Sequence, residues 1–255
     1  MNRLLILFLS FLLFCCKEQP KKFKNGLTKE AGQITEYIVK IKENPNGGTS
    51  QDTISITSKF YNNNQIVKRV QKTLFDNQTM VTNFVYDEFG KIQKEVVIMD
   101  FDNSNFEVEY IYKDSILIKT QVINEVQENV RFKQVENYKY RNNGTKFETE
   151  TIQEYIDFNT NDTLVDMISF SKFNENELVI EIVTINHRNP LLNSKRNYEY
   201  ENGLAKQQKI YDSNDSLTSE INYEYEFDKY DNWIKETSFK ENKPDKLTIR
   251  EIKYK

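Results

Sequence analysis

The segment EINYEYEFD, residues 220–228, decides the fold class. Ile221, Tyr223, Tyr225 and Phe227 fall on one face of an extended chain, while Asn222, Glu224 and Glu226 fall on the other. A helix would mix these two sets around its circumference. FEVEYIY, residues 106–112, repeats the pattern, with Phe106, Val108, Tyr110 and Tyr112 set against Glu107 and Glu109. Period two of this strength reads as β-strand with one face buried and one wet.

Working outward, the same unit recurs along the chain. FVYDEFGKIQKEV starts at Phe84, YIYKDSILIKT at Tyr110, YKYRNNGTKFETE at Tyr138 and YEYENGLAKQQ at Tyr198. Each unit is aromatic-x-Tyr, a turn of Asp, Asn or Gly, and a returning strand carrying lysine. Tyr86, Tyr112, Tyr140, Tyr200, Tyr225 and Tyr254 anchor the series, and Tyr61 and Tyr37 extend it toward the N-terminus. The spacing is 24–29 residues, apart from one long interval between Tyr140 and Tyr200 that hides a degenerate unit near residues 170–173. Asn142-Asn143-Gly144 and Asn202-Gly203 supply residues that tolerate positive φ in hairpin loops. The expected architecture is all-β: a long antiparallel meander of hairpins forming a curled, open or solenoid-like sheet. The anchor tyrosines are expected on one face, their rings packed on one another.

YDEFGKI resembles the YD repeat of the RHS family through Tyr86, Asp87, Gly90, Lys91 and Ile92, with lysine where that repeat has arginine. The resemblance implies β-hairpins stacked in a continuous curling sheet. The toxin-enclosing shell of large RHS proteins is not carried over, because this chain of 255 residues is too short for it.

The N-terminus speaks to location. Arg3 precedes an uncharged apolar run, residues 4–14, shorter than the roughly 20 residues a spanning helix needs. Cys15 and Cys16, the chain's two cysteines, follow directly. Adjacent cysteines tie no distant segments together, and the one histidine, His187, is remote. Leu13-Phe14-Cys15-Cys16 resembles the lipobox of bacterial lipoproteins, with Cys16 at the lipid-bearing position. That resemblance implies a signal peptide over residues 1–15, a lipid-anchored tether over 16–25, and a repeat domain over 26–255. It implies attachment to the membrane through lipid, at the outer membrane, on its periplasmic face or the cell surface.

Composition narrows the function classes. A net charge of −4 speaks against nucleic acid as a partner. The 17 Phe and 15 Tyr exclude a disordered chain. No phosphate loop, nucleophile elbow or paired-histidine metal motif occurs. Asp100, Asp102 and Ser104 mimic the start of a calcium loop, but Asn105 replaces its glycine and Ile111 its terminal glutamate. Residues from Asp157 fail alike, with Ile168 at the last position. His187 reads as a loop residue, and Trp233 as a core aromatic over the last hairpins. No cofactor, metal or catalytic residue is expected, and the abundant carboxylates are assigned to the solvated strand face. The favoured reading is a non-catalytic scaffold holding an envelope protein or glycan by a sheet face or open edge. A carrier with an apolar ligand on a curled aromatic face, or a carboxylate-dependent glycan-acting enzyme, are the alternatives.

Overall fold

The computed structural model describes residues 27, 30–43, 48–100, 105–127, 130–157, 160 and 163–255. The signal, the tether and Cys16 lie outside the described residues, as do residues 101–104, 158–159 and 161–162 of the two calcium-loop candidates.

Sixteen strands occur among the described residues, in hairpin order. The first eight are β1 (Ala31–Glu43), β2 (Thr49–Asn62), β3 (Gln65–Thr73), β4 (Gln78–Tyr86), β5 (Ile92–Met99), β6 (Asn105–Lys113), β7 (Ile116–Gln127) and β8 (Val130–Tyr140). The rest are β9 (Lys146–Asp157), β10 (Thr163–Phe173), β11 (Val179–Asn186), β12 (Ser194–Glu201), β13 (Leu204–Tyr211), β14 (Leu217–Phe227), β15 (Trp233–Lys240) and β16 (Lys243–Tyr254). A single 3₁₀ turn, Pro190–Leu192, interrupts the β11–β12 connection.

Each strand pairs antiparallel with its sequence neighbours, and β1 then pairs with β16, closing a barrel. In that last pairing Tyr37 lies opposite Ile249 and Glu36 opposite Arg250. Closure corrects the expectation of an open or solenoid-like sheet. Its physical source is a bulge beside the end of each even-numbered strand from β2 to β14. Register shifts fall at Phe60/Tyr61, Val85/Tyr86, Ile111/Tyr112, Lys139/Tyr140, Lys172/Phe173, Glu199/Tyr200 and Glu226/Phe227. A bulge bends and twists its strand, so one per hairpin accumulates curvature until the edges meet.

The turns follow from their residues. Asn63-Asn64, Asp114-Ser115, Asn202-Gly203 and Glu241-Asn242 have positive φ at both positions and make two-residue hairpin loops. Four of the longer loops start with an aromatic followed by Asp or Asn, at Asp87, Asn174, Asp212 and Asp228. Asp87 Oδ1 accepts from the amides of Phe89 and Lys91, and Asn174 Oδ1 from those of Asn176 and Leu178.

The anchor tyrosines act through their hydroxyls. Tyr86 donates to the carbonyl of Ile66 (2.6 Å), Tyr112 to Ile92 (2.9 Å), Tyr140 to Leu117 (2.7 Å), Tyr200 to Val179 (2.7 Å) and Tyr225 to Ala205 (3.0 Å). Every acceptor is the residue paired with the preceding anchor: Ile66 faces Tyr61, Ile92 faces Tyr86, Leu117 faces Tyr112, Val179 faces Phe173 and Ala205 faces Tyr200. Each hairpin is thus stitched to the one before it. Among the described residues no ring pair joins two of these anchors, so the expected tyrosine stack is replaced by phenol-to-backbone bonds. Tyr37 does not belong to the series. It sits mid-strand in β1 and its hydroxyl donates to Glu251.

The long interval resolves into the hairpin of β10 and β11, with Phe173 in the anchor position. Phenylalanine has no hydroxyl, and the carbonyl it would have met belongs to Lys146, the partner of Tyr140. Arg141 fills the gap: Nη1 donates to the Lys146 carbonyl (3.0 Å) and Nη2 to that of Phe173 (2.7 Å).

Candidate functional site

The two faces of the wall differ in chemistry. The tyrosine face is the buried one and lines the interior. It alternates large and small side chains across strands: Thr82 opposite Arg69, Thr120 opposite Tyr110, Thr149 opposite Tyr138, Gln208 opposite Tyr198 and Ser238 opposite Tyr223. Each smaller member of these pairs is buried, Thr82 completely. The opposite face carries ion pairs in a belt around the barrel. They include Lys94–Glu107 (2.7 Å), Lys133–Glu154 (3.0 Å), Lys172–Glu181 (2.7 Å) and Lys235–Glu226 (2.7 Å).

Not every carboxylate faces outward, contrary to the sequence reading. Glu36 lies inside, bound by Lys59 Nζ at 2.8 Å and Arg250 Nη2 at 2.8 Å. Burial alone would raise the Glu36 carboxyl, but those two cations outweigh it and hold it below the usual carboxylate range. Burial weakens proton retention by Arg250, which Glu36 opposes. The Arg250 guanidinium lies 3.3 Å from the centroid of Trp233, which also meets Tyr225 edge-on at 6.0 Å. Glu95 accepts from Tyr110 (2.5 Å) and pairs with Arg69 (3.4 Å), and Glu136 accepts from Tyr138 (2.7 Å). Burial, then the neighbouring carboxylate, raises both phenols well above the ordinary tyrosine value. Only for Glu136 was the signal available, in phase with Phe132 and Tyr138 of β8; Glu36 and Glu95 share the face of buried Ile34 and Val97, in strands with no aromatic on that face.

Between β6, β7 and β8 the interior face leaves a cavity of about 260 Å³. Phe106, Val108, Val122 and Phe132 make its apolar lining, and Thr120 and Gln134 supply polar groups. Phe132 is braced by the ring of Tyr155 at 5.5 Å, and Gln134 Oε1 accepts a hydrogen bond from Gln153 Nε2 (2.9 Å). A larger cavity, about 600 Å³, opens at the end where Tyr61, Tyr86 and Tyr112 lie. Neither cavity is lined by a carboxylate. His187 is exposed in the β11–β12 connection, its amide bonded to the Asp166 carbonyl (2.9 Å). Among the described residues no group of three or more His, Cys, Asp or Glu side chains is placed to hold a metal ion, and no helix is long and apolar enough to cross a membrane.

No protein-family model matches the chain, and no curated protein matches it in sequence. Solved structures do match in fold. A porin-like protein from Bacteroides uniformis superposes with a TM-score of 0.52 at 8% identity, over 92% of this chain and 100% of that one. A porin-like protein from Bacteroides vulgatus gives 0.51 at 10% identity, over 89% and 99%. At such identities the likeness is one of fold alone.

These findings overturn three expectations. The chain is not a degenerate YD or RHS-type repeat sheet; the motif around Tyr86 is a local hairpin solution that a barrel also uses. The lipoprotein-with-repeats description gives way to a porin-like barrel. The picture of a scaffold hung on the membrane by lipid, offering an edge to an envelope protein or glycan, fails because closure pairs both edge strands and leaves no edge to offer.

Proposed function

We propose that this barrel is a carrier of the cell envelope, working in water at the outer membrane and housing a small, largely apolar ligand in its interior. The cavity of about 260 Å³ between Phe106, Val108, Val122 and Phe132 carries the reading. Apolar walls with a few fixed polar groups are the usual make-up of a small-molecule site. Thr120 and Gln134 would orient the ligand. The fold shared with porin-like proteins and the apolar run at residues 4–14 support the location. The charged belt supports the aqueous setting. A charged side chain on a lipid-facing barrel wall costs up to roughly 2–4 kcal/mol near the bilayer midplane, and this belt repeats such charges around the wall.

Titration with the fluorescent apolar amine N-phenyl-1-naphthylamine tests the reading. Saturable binding is expected, weakened about tenfold by Val122→Trp, which fills the cavity, with little change in the thermal midpoint. Equal binding by wild type and Val122→Trp would move the ligand elsewhere.

A further inference from the structure

The larger cavity lies at the opposite end of the barrel from Phe106 and Phe132, beside the turns at residues 62–65 and 87–91. Tyr61, Tyr86 and Tyr112 form its aromatic wall, with Ile66 and Ile92 between them. The hydroxyls of Tyr86 and Tyr112 are committed to backbone carbonyls, so these residues offer their rings. Gln65 is likewise engaged, its amide donating to the Gly90 carbonyl (2.9 Å).

Two groups in this cavity have unmet needs. Asn64 Oδ1 is buried without a hydrogen-bond donor, an unfavourable state for a strong acceptor. Lys91 is half-buried, with its ammonium 5.5 Å from the Tyr112 ring centroid and no carboxylate within ion-pair distance among the described residues. A second cation, Lys59, lines the same cavity, its charge already met by Glu36. A site with a spare cation, aromatic walls, no lining carboxylate and an orphan acceptor fits one chemical class.

We propose that this cavity binds a small organic carboxylate that also carries a hydroxyl or N–H donor. The carboxylate pairs with Lys91, the body of the ligand lies along the rings of Tyr86 and Tyr112, and its donor satisfies Asn64 Oδ1. The site stands apart from the apolar cavity and does not depend on the carrier reading.

Calorimetric titration of the purified full-length chain with 4-hydroxybenzoate, benzoate and 4-hydroxybenzyl alcohol tests it. Binding of 4-hydroxybenzoate is expected, with benzoate about five- to tenfold weaker for want of the donor and the alcohol weaker for want of the charge. Lys91→Gln should weaken both acids about tenfold. Asn64→Gly preserves the positive φ that this turn position needs and removes the side-chain amide with its acceptor. It should abolish the preference for 4-hydroxybenzoate while leaving benzoate affinity unchanged. Circular dichroism melts of both variants establish that they fold. Absence of saturable binding by either acid at millimolar concentration would overturn the proposal. So would equal affinities for the two acids together with indifference to Lys91→Gln.

Discussion

Between successive hairpin units the phenol of Tyr112 reaches the carbonyl of Ile92, 20 residues back in the chain. Across the seam between β1 and β16, Arg250 reaches Glu36, 214 residues away. The first contact closes a short loop and needs only a neutral hydrogen bond. The second must hold the two chain ends in register after the rest of the sheet has formed, where closing a long loop brings a larger entropic cost. The seam is correspondingly built from charge. Lys59 joins Glu36 and Arg250 inside, Tyr37 bonds Glu251 outside (3.1 Å), and Lys255 pairs with Glu30 at the chain end (2.7 Å). A buried ion pair is a poor source of net stability against an apolar replacement, but it penalises any register that leaves one charge alone. The repeats build the sheet, and the seam selects which closure it adopts.

Breaking the seam should have the largest effect. Arg250→Ala leaves the buried Glu36 carboxylate with Lys59 alone and strips the cation from the Trp233 ring, and should cost about 3 kcal/mol in urea unfolding. Its pH signature is separate from its size. Because the folded Glu36 carboxyl sits below its unfolded value, its contribution is fully present above the unfolded carboxylate value, about 4.3, and is lost as pH falls through the folded value. Glu36→Gln should therefore flatten the acid limb of the stability profile. An unchanged acid limb would remove the seam charge from the account.

The unit lacking a tyrosine sharpens the comparison from the other side. Arg141→Ala leaves the carbonyls of Lys146 and Phe173 without their guanidinium donor and should cost about 1–3 kcal/mol. Phe173→Tyr placed on top should return part of that loss, by giving the Lys146 carbonyl a phenol. No rescue would mean that Arg141 acts through its cation–π contact with Phe147 instead. The smallest effect belongs to a single stitch: Tyr112→Phe should cost about 0.5–1.5 kcal/mol, without changing the pH profile.

What could be read from sequence is what is local. Alternation in EINYEYEFD and FEVEYIY places the strands and their faces, and Asp87, Gly90 and Asn202-Gly203 place turns. Even the degenerate interval resolves into a genuine hairpin at Phe173. Closure was not legible, because it is the sum of small bends at bulges, and no single residue states the total. Tyr37 misled because an aromatic at the right spacing need not be in the right phase. The solvated-face default misplaced Glu136, whose phase with Phe132 and Tyr138 identifies it as interior, and Glu36 and Glu95, whose strands have no aromatic in phase with them. The cavity at Phe106 and Phe132 draws on three strands whose curvature a linear pattern does not record.

The central claim is that the tyrosine face looks inward and the ion-paired face meets water. Single cysteines at Glu107, Lys133, Lys172 and Lys235, in a chain with Cys15 and Cys16 changed to Ser, report on it directly. Each is labelled with an environment-sensitive fluorophore and mixed with vesicles of outer-membrane lipid containing brominated acyl chains. The account predicts water-like emission and no bromine quenching at all four positions. A band of blue-shifted, quenched emission across them would contradict it, by showing that this face lies against hydrocarbon.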